Sequence, residues 1–221
     1  PTDPELTLSS PTGSPPAHWG YTATPDEEGN LYAGGIVFGG GYPYITGSYD
    51  ATFNGGAGSF GIDMGISKFN TDGSTLLYST YIGGVANESP HSLVVNENGE
   101  LYILGSTASN NYPTSAGSFD DTYNPGGGTV TIGNVLAYSG SDMVVTKMSA
   151  DGTSIDASTY VGGSGIDGLS NTTPLRYNYG DGFRGEITTD KDIIGRVKYD
   201  ILYIENWSLL LDIKIIFVFC R

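Results

Sequence analysis

Between residues 20 and 165 the apolar and β-branched positions fall into short runs separated by polar, glycine-rich stretches. From Ser92 the order is Ser92 to Val95, the turn Asn96-Glu97-Asn98-Gly99, Leu101 to Leu104, a long Gly/Ser/Asn loop, Met143 to Met148, Ala150-Asp151-Gly152, and Ile155 to Val161. Asn-Gly and Asp-Gly supply the positive φ that tight hairpins need, so each run reads as a strand and each polar stretch as a turn or loop. Ile62, Met64 and Ile66 alternate with Asp63, Gly65 and Ser67, which predicts a strand with one buried face. Leu101 to Leu104 is continuous and predicts burial on both faces.

The same pattern is written twice. Leu31, Tyr32, Gly35, Tyr42, Pro43, Gly47, Ser48, Asp50, Thr52, Asn54 and Gly56 recur 70 positions later, from Leu101 to Gly126. Asp63, Met64, Lys68, Asp72, Gly73, Ser79, Thr80, Tyr81, Gly83 and Gly84 recur 79 positions later, from Asp142 to Gly163. The larger offset places an insertion between Gly126 and Asp142. A four-stranded antiparallel unit in tandem predicts an all-β fold, a β-propeller-type fragment of four-stranded antiparallel blades. The expected division is 1–17 as the end of a preceding blade or a linker, 18–84 as repeat 1, 85–163 as repeat 2, 164–192 as the start of repeat 3, and 193–221 as an aberrant or truncated tail.

Leu77-Tyr78-Ser79-Thr80-Tyr81-Ile82-Gly83-Gly84, preceded by Ser67-Lys68-Phe69-Asn70-Thr71-Asp72-Gly73, resembles the SBBP-type β-propeller repeat of bacterial surface proteins. So does Tyr112-Pro113-Thr114 followed by Gly117-Ser118-Phe119. With Trp19-Gly20-Tyr21-Thr22-Ala23-Thr24 ahead of the first copy, the resemblance runs from Ser9 to Asp192. The form is similar to large secreted Bacteroidota proteins associated with gliding motility and type IX secretion. The resemblance implies an extracellular or cell-surface module, a non-enzymatic scaffold or adhesion unit binding glycan or protein, with further blades of the same parent protein as partners. Fold does not dictate function, so an enzyme acting on extracellular polysaccharide, glycoside hydrolase or lyase, is the alternative, and a calcium-stabilised structural repeat is another.

Composition sharpens this picture. The 34 glycines fit a turn-rich β protein, and a net charge of −15 argues against nucleic acid, which is bound by neutralising phosphates with Lys and Arg. Residues 1–16 have neither a cationic nor an apolar leader segment, so no signal peptide is visible, and the missing initiator Met predicts a chain beginning within a longer protein. After Asp192 the repeat calls for glycine but meets Ile193-Ile194, and the only cysteine, Cys220, follows in an Ile-rich tail. That break predicts an altered reading frame or a wrongly assigned end. The apolar stretch from Trp207 to Cys220, interrupted by Asp212 and Lys214, falls short of the about 20 residues a membrane span needs.

Candidate chemistry is sparse. His18 and His91 have no metal-ligand neighbours at suitable spacing and are expected at the surface; no catalytic residue is assigned. Asp26, Asp72 and Asp151 lie in predicted hairpin turns, where a carboxylate caps its own backbone; calcium, a hard cation taking carboxylate oxygens, is the competing use and the only cofactor considered. The long loops after each second strand carry Tyr42, Tyr44, Tyr112, Phe119 and Tyr123. These rings are either platforms for a sugar or peptide or the loops' own packing, since ordered loops of this length must bury something.

Overall fold

The computed structural model describes residues 18–55, 61–132 and 136–168. Every regular element among them is a β-strand. Strands β1 (His18–Pro25), β2 (Leu31–Val37), β3 (Asp63–Phe69) and β4 (Leu76–Ile82) form one antiparallel sheet in the order β1-β2-β3-β4. The second sheet contains β5 (Glu88–Val95) and β6 (Leu101–Thr107), then β9 (Asp142–Met148) and β10 (Ile155–Val161), again in chain order. The insertion between the repeat halves folds as a separate hairpin of β7 (Thr129–Ile132) and β8 (Leu136–Ser139). The described part of the chain is therefore all-β and built of four-stranded antiparallel blades. Tail residues 193–221, and the third repeat beyond residue 168, lie outside the described residues.

The hairpins joining the outer strands close as the turn chemistry predicts. The Gly73 N–H donates to the Asn70 carbonyl at 3.0 Å and the Gly152 N–H to the Ser149 carbonyl at 3.0 Å, with φ of 64° and 70° at the two glycines. A side chain other than hydrogen is strained at such angles.

The sheets stack face on face. In the β2–β3 register Ile36 stands opposite Met64 and Gly34 opposite Ile66, so Tyr32, Ile36, Met64 and Ile66 share one face. From that face Tyr32, Met64 and Ile66, with Tyr78 and Ile82, pack against Leu101, Ile103, Val144, Met148 and Tyr160 of the second sheet in one buried cluster, while Ile36 joins Ile62, Val130 and Tyr138 in another. A Cβ built on Gly105 would overlap the Met64 methyl and lie 2.7 Å from the Ser89 carbonyl, so only glycine lets the sheets approach this closely. Strand β5 lies against β1, β2 and β3, and the Glu88 N–H donates to the Ile62 carbonyl at 3.1 Å, joining the sheets through backbone as well.

Two burial expectations are reversed. β3 is buried on both faces, not one, because the loop after β2 folds back and covers Asp63, Gly65 and Ser67. The run Leu101 to Leu104 in β6 alternates instead of being buried throughout: Leu101 and Ile103 are inside, while Tyr102 is 37% exposed on the face with no sheet stacked on it among the described residues.

Candidate functional site

The long loops are pinned to their own sheets by the motif Ser79-Thr80-Tyr81 and its copy Ser158-Thr159-Tyr160. Thr80 Oγ1 accepts the Asp50 N–H at 2.8 Å and donates to the Asp50 carbonyl at 3.0 Å; Thr159 does the same for Asp120 at 2.9 and 3.0 Å. The Tyr81 hydroxyl accepts the Tyr42 N–H at 2.8 Å, as the Tyr160 hydroxyl accepts that of Tyr112 at 3.2 Å. The Tyr42 ring then lies over Gly65, where any Cβ would come within 2.8 Å of it, and its hydroxyl pairs with Ser67 Oγ at 2.7 Å. Tyr112 repeats this with Thr146 Oγ1 at 2.8 Å. Burial pushes both hydroxyls up from their ordinary values.

Tyr42 and Tyr112 are thus structural inserts with their faces withdrawn from solvent. Tyr123 is half-buried against Tyr160, ring centres 5.8 Å apart, and burial pushes its hydroxyl up to about 12. Tyr44, 41% exposed, and Phe119, 92% exposed, keep open faces. The structure does not gather the five rings into one platform; it divides them between two copies of the loop.

The turn aspartates are engaged locally. Asp26 accepts the N–H groups of Glu28 at 3.1 Å and Asn30 at 2.8 Å and pairs with Lys68 at 3.5 Å. Partial burial opposes its ionisation, and the Asn30 hydrogen bonds and Lys68 charge outweigh that, holding the carboxyl below its ordinary value. Asp72 accepts the Ser74 N–H at 2.9 Å, and Asp151 accepts the Ser149 hydroxyl at 2.6 Å and the Thr153 hydroxyl at 2.8 Å. Those hydrogen bonds hold both carboxyls low. Among the described residues no group of three or more His, Cys, Asp or Glu side chains converges.

A different pair of acids does meet. Asp63 opens β3 in the first sheet and Glu88 opens β5 in the second. A Cβ on Gly83 would collide with Asp63 Oδ1 and lie 2.7 Å from Glu88 Oε2, so both oxygens close around one glycine. Asp63 Oδ2 accepts the Asn54 N–H at 2.6 Å, whereas the buried Oδ1 has no hydrogen-bond partner. Glu88 accepts the Thr107 hydroxyl at 2.6 Å and the Gly84 N–H at 3.2 Å. Burial pushes both carboxyls up, Asp63 to about 8, with the Glu88 charge adding to the rise at Asp63 against the Asn54 hydrogen bond.

The arrangement recurs 79 residues on. Asp142 Oδ2 accepts the Asn124 N–H at 2.6 Å, its buried Oδ1 has no hydrogen-bond partner, and Asp167 Oδ2 accepts the Gly163 N–H at 2.8 Å. Burial pushes Asp142 up, against the Asn124 hydrogen bond. The Asp167 N–H donates to the Ser141 carbonyl at 2.7 Å, the counterpart of the Glu88–Ile62 bond. Sequence comparison paired Asp63 with Asp142 but missed Glu88 with Asp167; extending the 79-residue offset four positions past Gly84 would have found them.

His91 is a correction. Expected at the surface, it is 2% exposed, with Nε2 at 2.5 Å from Ser106 Oγ, itself fully buried. The repeat offset puts Tyr21 and Ile36 at these positions in the first sheet, so the second copy exchanges an apolar pair for a polar one. A hydroxyl hydrogen-bonded to an imidazole is the core of a nucleophile–base arrangement, yet burial of both groups bars a substrate from reaching it.

The face of the first sheet that turns away from the second carries a cavity of ≈ 40 Å³ lined by Trp19, Ala33, Gly35, Val37, Tyr42 and Gly65. Gly35 is the counterpart of Gly105, and the Trp19 carbonyl lies over it as the Ser89 carbonyl lies over Gly105. Trp19 is 37% exposed beside this opening.

No protein-family model matches the chain. A UDP-glucose:undecaprenyl-phosphate glucose-1-phosphate transferase from Klebsiella pneumoniae is 50% identical over 38 residues, 17% of this chain. The chain spans 8% of that protein's length, and a 38-residue match is shorter than one repeat, so it carries no argument about the blades.

Proposed function

We propose that the chain is a non-enzymatic repeat module of a secreted or cell-surface protein, an SBBP-type β-propeller segment serving as a structural scaffold or adhesion unit. Radial repetition protects sheet faces by stacking each blade between two others. The observation that carries this reading is the reuse of one packing hole. Over Gly105 the hole holds Met64; over Gly35 no side chain fills the same hole among the described residues, with Leu31, Ala33 and Gly35 only half-buried where Leu101, Ile103 and Gly105 are buried. A sheet built this way suits a neighbour on each side. Binding of extracellular glycan or protein falls to the exposed rings of Tyr44 and Phe119 on the loops.

The test is an extended chain with a copy of residues 18–84 placed ahead of residue 18. Stacking shifts Trp19 emission to shorter wavelength and raises the unfolding midpoint in one cooperative transition. Two separate transitions with unchanged Trp19 emission would refute the stacking on which the modular reading rests. Turnover of a polysaccharide panel by the whole chain would replace the scaffold reading with the enzymatic alternative, an activity on extracellular polysaccharide.

A further inference from the structure

Two carboxyl groups face each other across the joint between the sheets, one from each, in a place closed to water. Glu88 is supplied with donors: the Thr107 hydroxyl at 2.6 Å and the Gly84 N–H at 3.2 Å, both suited to a carboxylate. Asp63 is served on one side only, by the Asn54 N–H at Oδ2, and its other oxygen, buried and unpartnered, turns toward the glycine that Glu88 also crowds. Two ionised carboxylates in such a site repel, while a single proton shared between them removes one charge and gives Asp63 Oδ1 a donor's role.

Among the described residues the titratable groups in electrostatic contact with the pair include the phenols of Tyr81 from β4, Tyr112 and Tyr123 from the loop after β6, Tyr138 from β8 and Tyr160 from β10. Burial pushes each of these hydroxyls up. The second junction repeats the geometry: Asp142 Oδ1 is unpartnered, and a Cβ on Gly162 would lie 2.9 Å from it and 2.9 Å from Asp167 Oδ2. Asp167 is only half-buried, so the first junction is the tighter of the two.

We propose that the Asp63–Glu88 junction binds one proton, carried on Asp63 Oδ1 and directed to Glu88, and that this proton latches the two sheets together. The native state then holds a proton that the unfolded chain releases above the ordinary aspartate range. Stability is greatest at the acid end of that window and falls as pH rises from about 4 toward about 8, the unfolding constant increasing about tenfold per pH unit for one such pair.

Urea unfolding of the whole chain from pH 5 to 8.5 tests this, with Asp63→Asn beside the wild type. Asparagine keeps the acceptor for the Asn54 N–H and places a permanent N–H donor toward Glu88. The pH slope in the variant should therefore drop by one proton, with the difference between the two proteins shrinking about tenfold per pH unit from pH 8 down to pH 5. Glu88→Gln, which relieves the repulsion from the other side, should flatten the slope in the same way. If either variant fails to fold, proton release on unfolding the wild type at pH 7, read in buffers of different ionisation enthalpy, should still exceed that of a chain with ordinary carboxyls by about one. A wild-type slope of zero, or one that both variants leave intact, overturns the proposal. So does a slope that calcium or a chelator abolishes, which would mean that a metal ion, not a proton, joins the pair.

Discussion

Met64→Ala probes the contact that sets how closely the sheets approach. The side chain is fully buried and its methyl fills the space above Gly105, so truncation removes three heavy atoms from a site whose backbone walls, the Gly105 strand and the Ser89 carbonyl, cannot collapse. Methionine-to-alanine changes in such cores cost about 2–5 kcal/mol. At about 2–4 °C per kcal/mol for a chain of this size, the thermal midpoint should fall by about 6–12 °C for a mid-range cost of about 3 kcal/mol. Gly105→Ala attacks the contact from the other side. Its new Cβ overlaps a flexible methyl, which can move, and sits 2.7 Å from the Ser89 carbonyl, which cannot, so about 1–3 kcal/mol is expected. In the double variant the methyl is gone and only the carbonyl clash remains, so the two losses should be less than additive by at least about 0.5 kcal/mol. Urea unfolding followed by far-ultraviolet circular dichroism measures all three proteins. Strict additivity, or a loss in Met64→Ala no larger than in Met143→Ala, would refute the claim that Met64 is the knob between the sheets.

Other consequences follow from the turns and the loops. Asp26 is held below its ordinary value in the native state, so its contribution is present above about pH 4 and disappears as pH falls through the native value; Asp26→Asn should lose stability at pH 7 yet match the wild type near pH 2. The oxygens of Asp26, Asp72 and Asp151 are engaged by their own turns, so calcium or a chelator should leave the thermal midpoint within about 1 °C; a rise of several degrees with calcium would favour the calcium-stabilised repeat. Tyr42→Phe removes only the hydroxyl bonded to Ser67 and should cost about 1 kcal/mol, whereas Tyr42→Ala empties the space over Gly65 and should cost about 3–5 kcal/mol, both read from urea midpoints.

The sequence announced the strands because turn chemistry and repetition are local signals. Asn-Gly and Asp-Gly mark hairpins whatever lies around them, and a 79-residue offset aligns Asp72 with Asp151 without any knowledge of packing. Burial was less legible because it depends on what covers a face. The alternation in β3 predicted one wet side, but that side holds Asp63, Gly65 and Ser67, small or capped groups that leave room for Tyr42 to lie on them. The small residues were the signal, since a glycine within a strand marks close approach of another group. In β6 the continuous run Leu101 to Leu104 exposes Tyr102, because its outer face has no sheet stacked on it among the described residues.

The carboxyl pair shows why the joint between blades stayed hidden. Its members come from two different repeats, Asp63 opening the third strand of one copy and Glu88 opening the first strand of the next, so an alignment of copies places them in separate rows. Each looks like a surface acid at the start of a strand. Only the stacking of face on face brings them to the same glycine and away from water, and it does so at the point where the Glu88 N–H reaches the Ile62 carbonyl. A repeat protein holds neighbouring units through nearest-neighbour interfaces, so a polar contact placed once per interface acts on the coupling between blades more than on the blade itself. Truncation of Asp63, unlike the Asp63→Asn exchange that keeps a donor toward Glu88, should therefore leave each sheet's own backbone ladder in place and separate the unfolding of one sheet from the other. Hydrogen exchange resolves this: in an Asp63→Ala chain, β2 and β3 should exchange at a rate different from β6 and β9, whereas a single shared rate for all four strands would show that the sheets remain one cooperative unit without the pair.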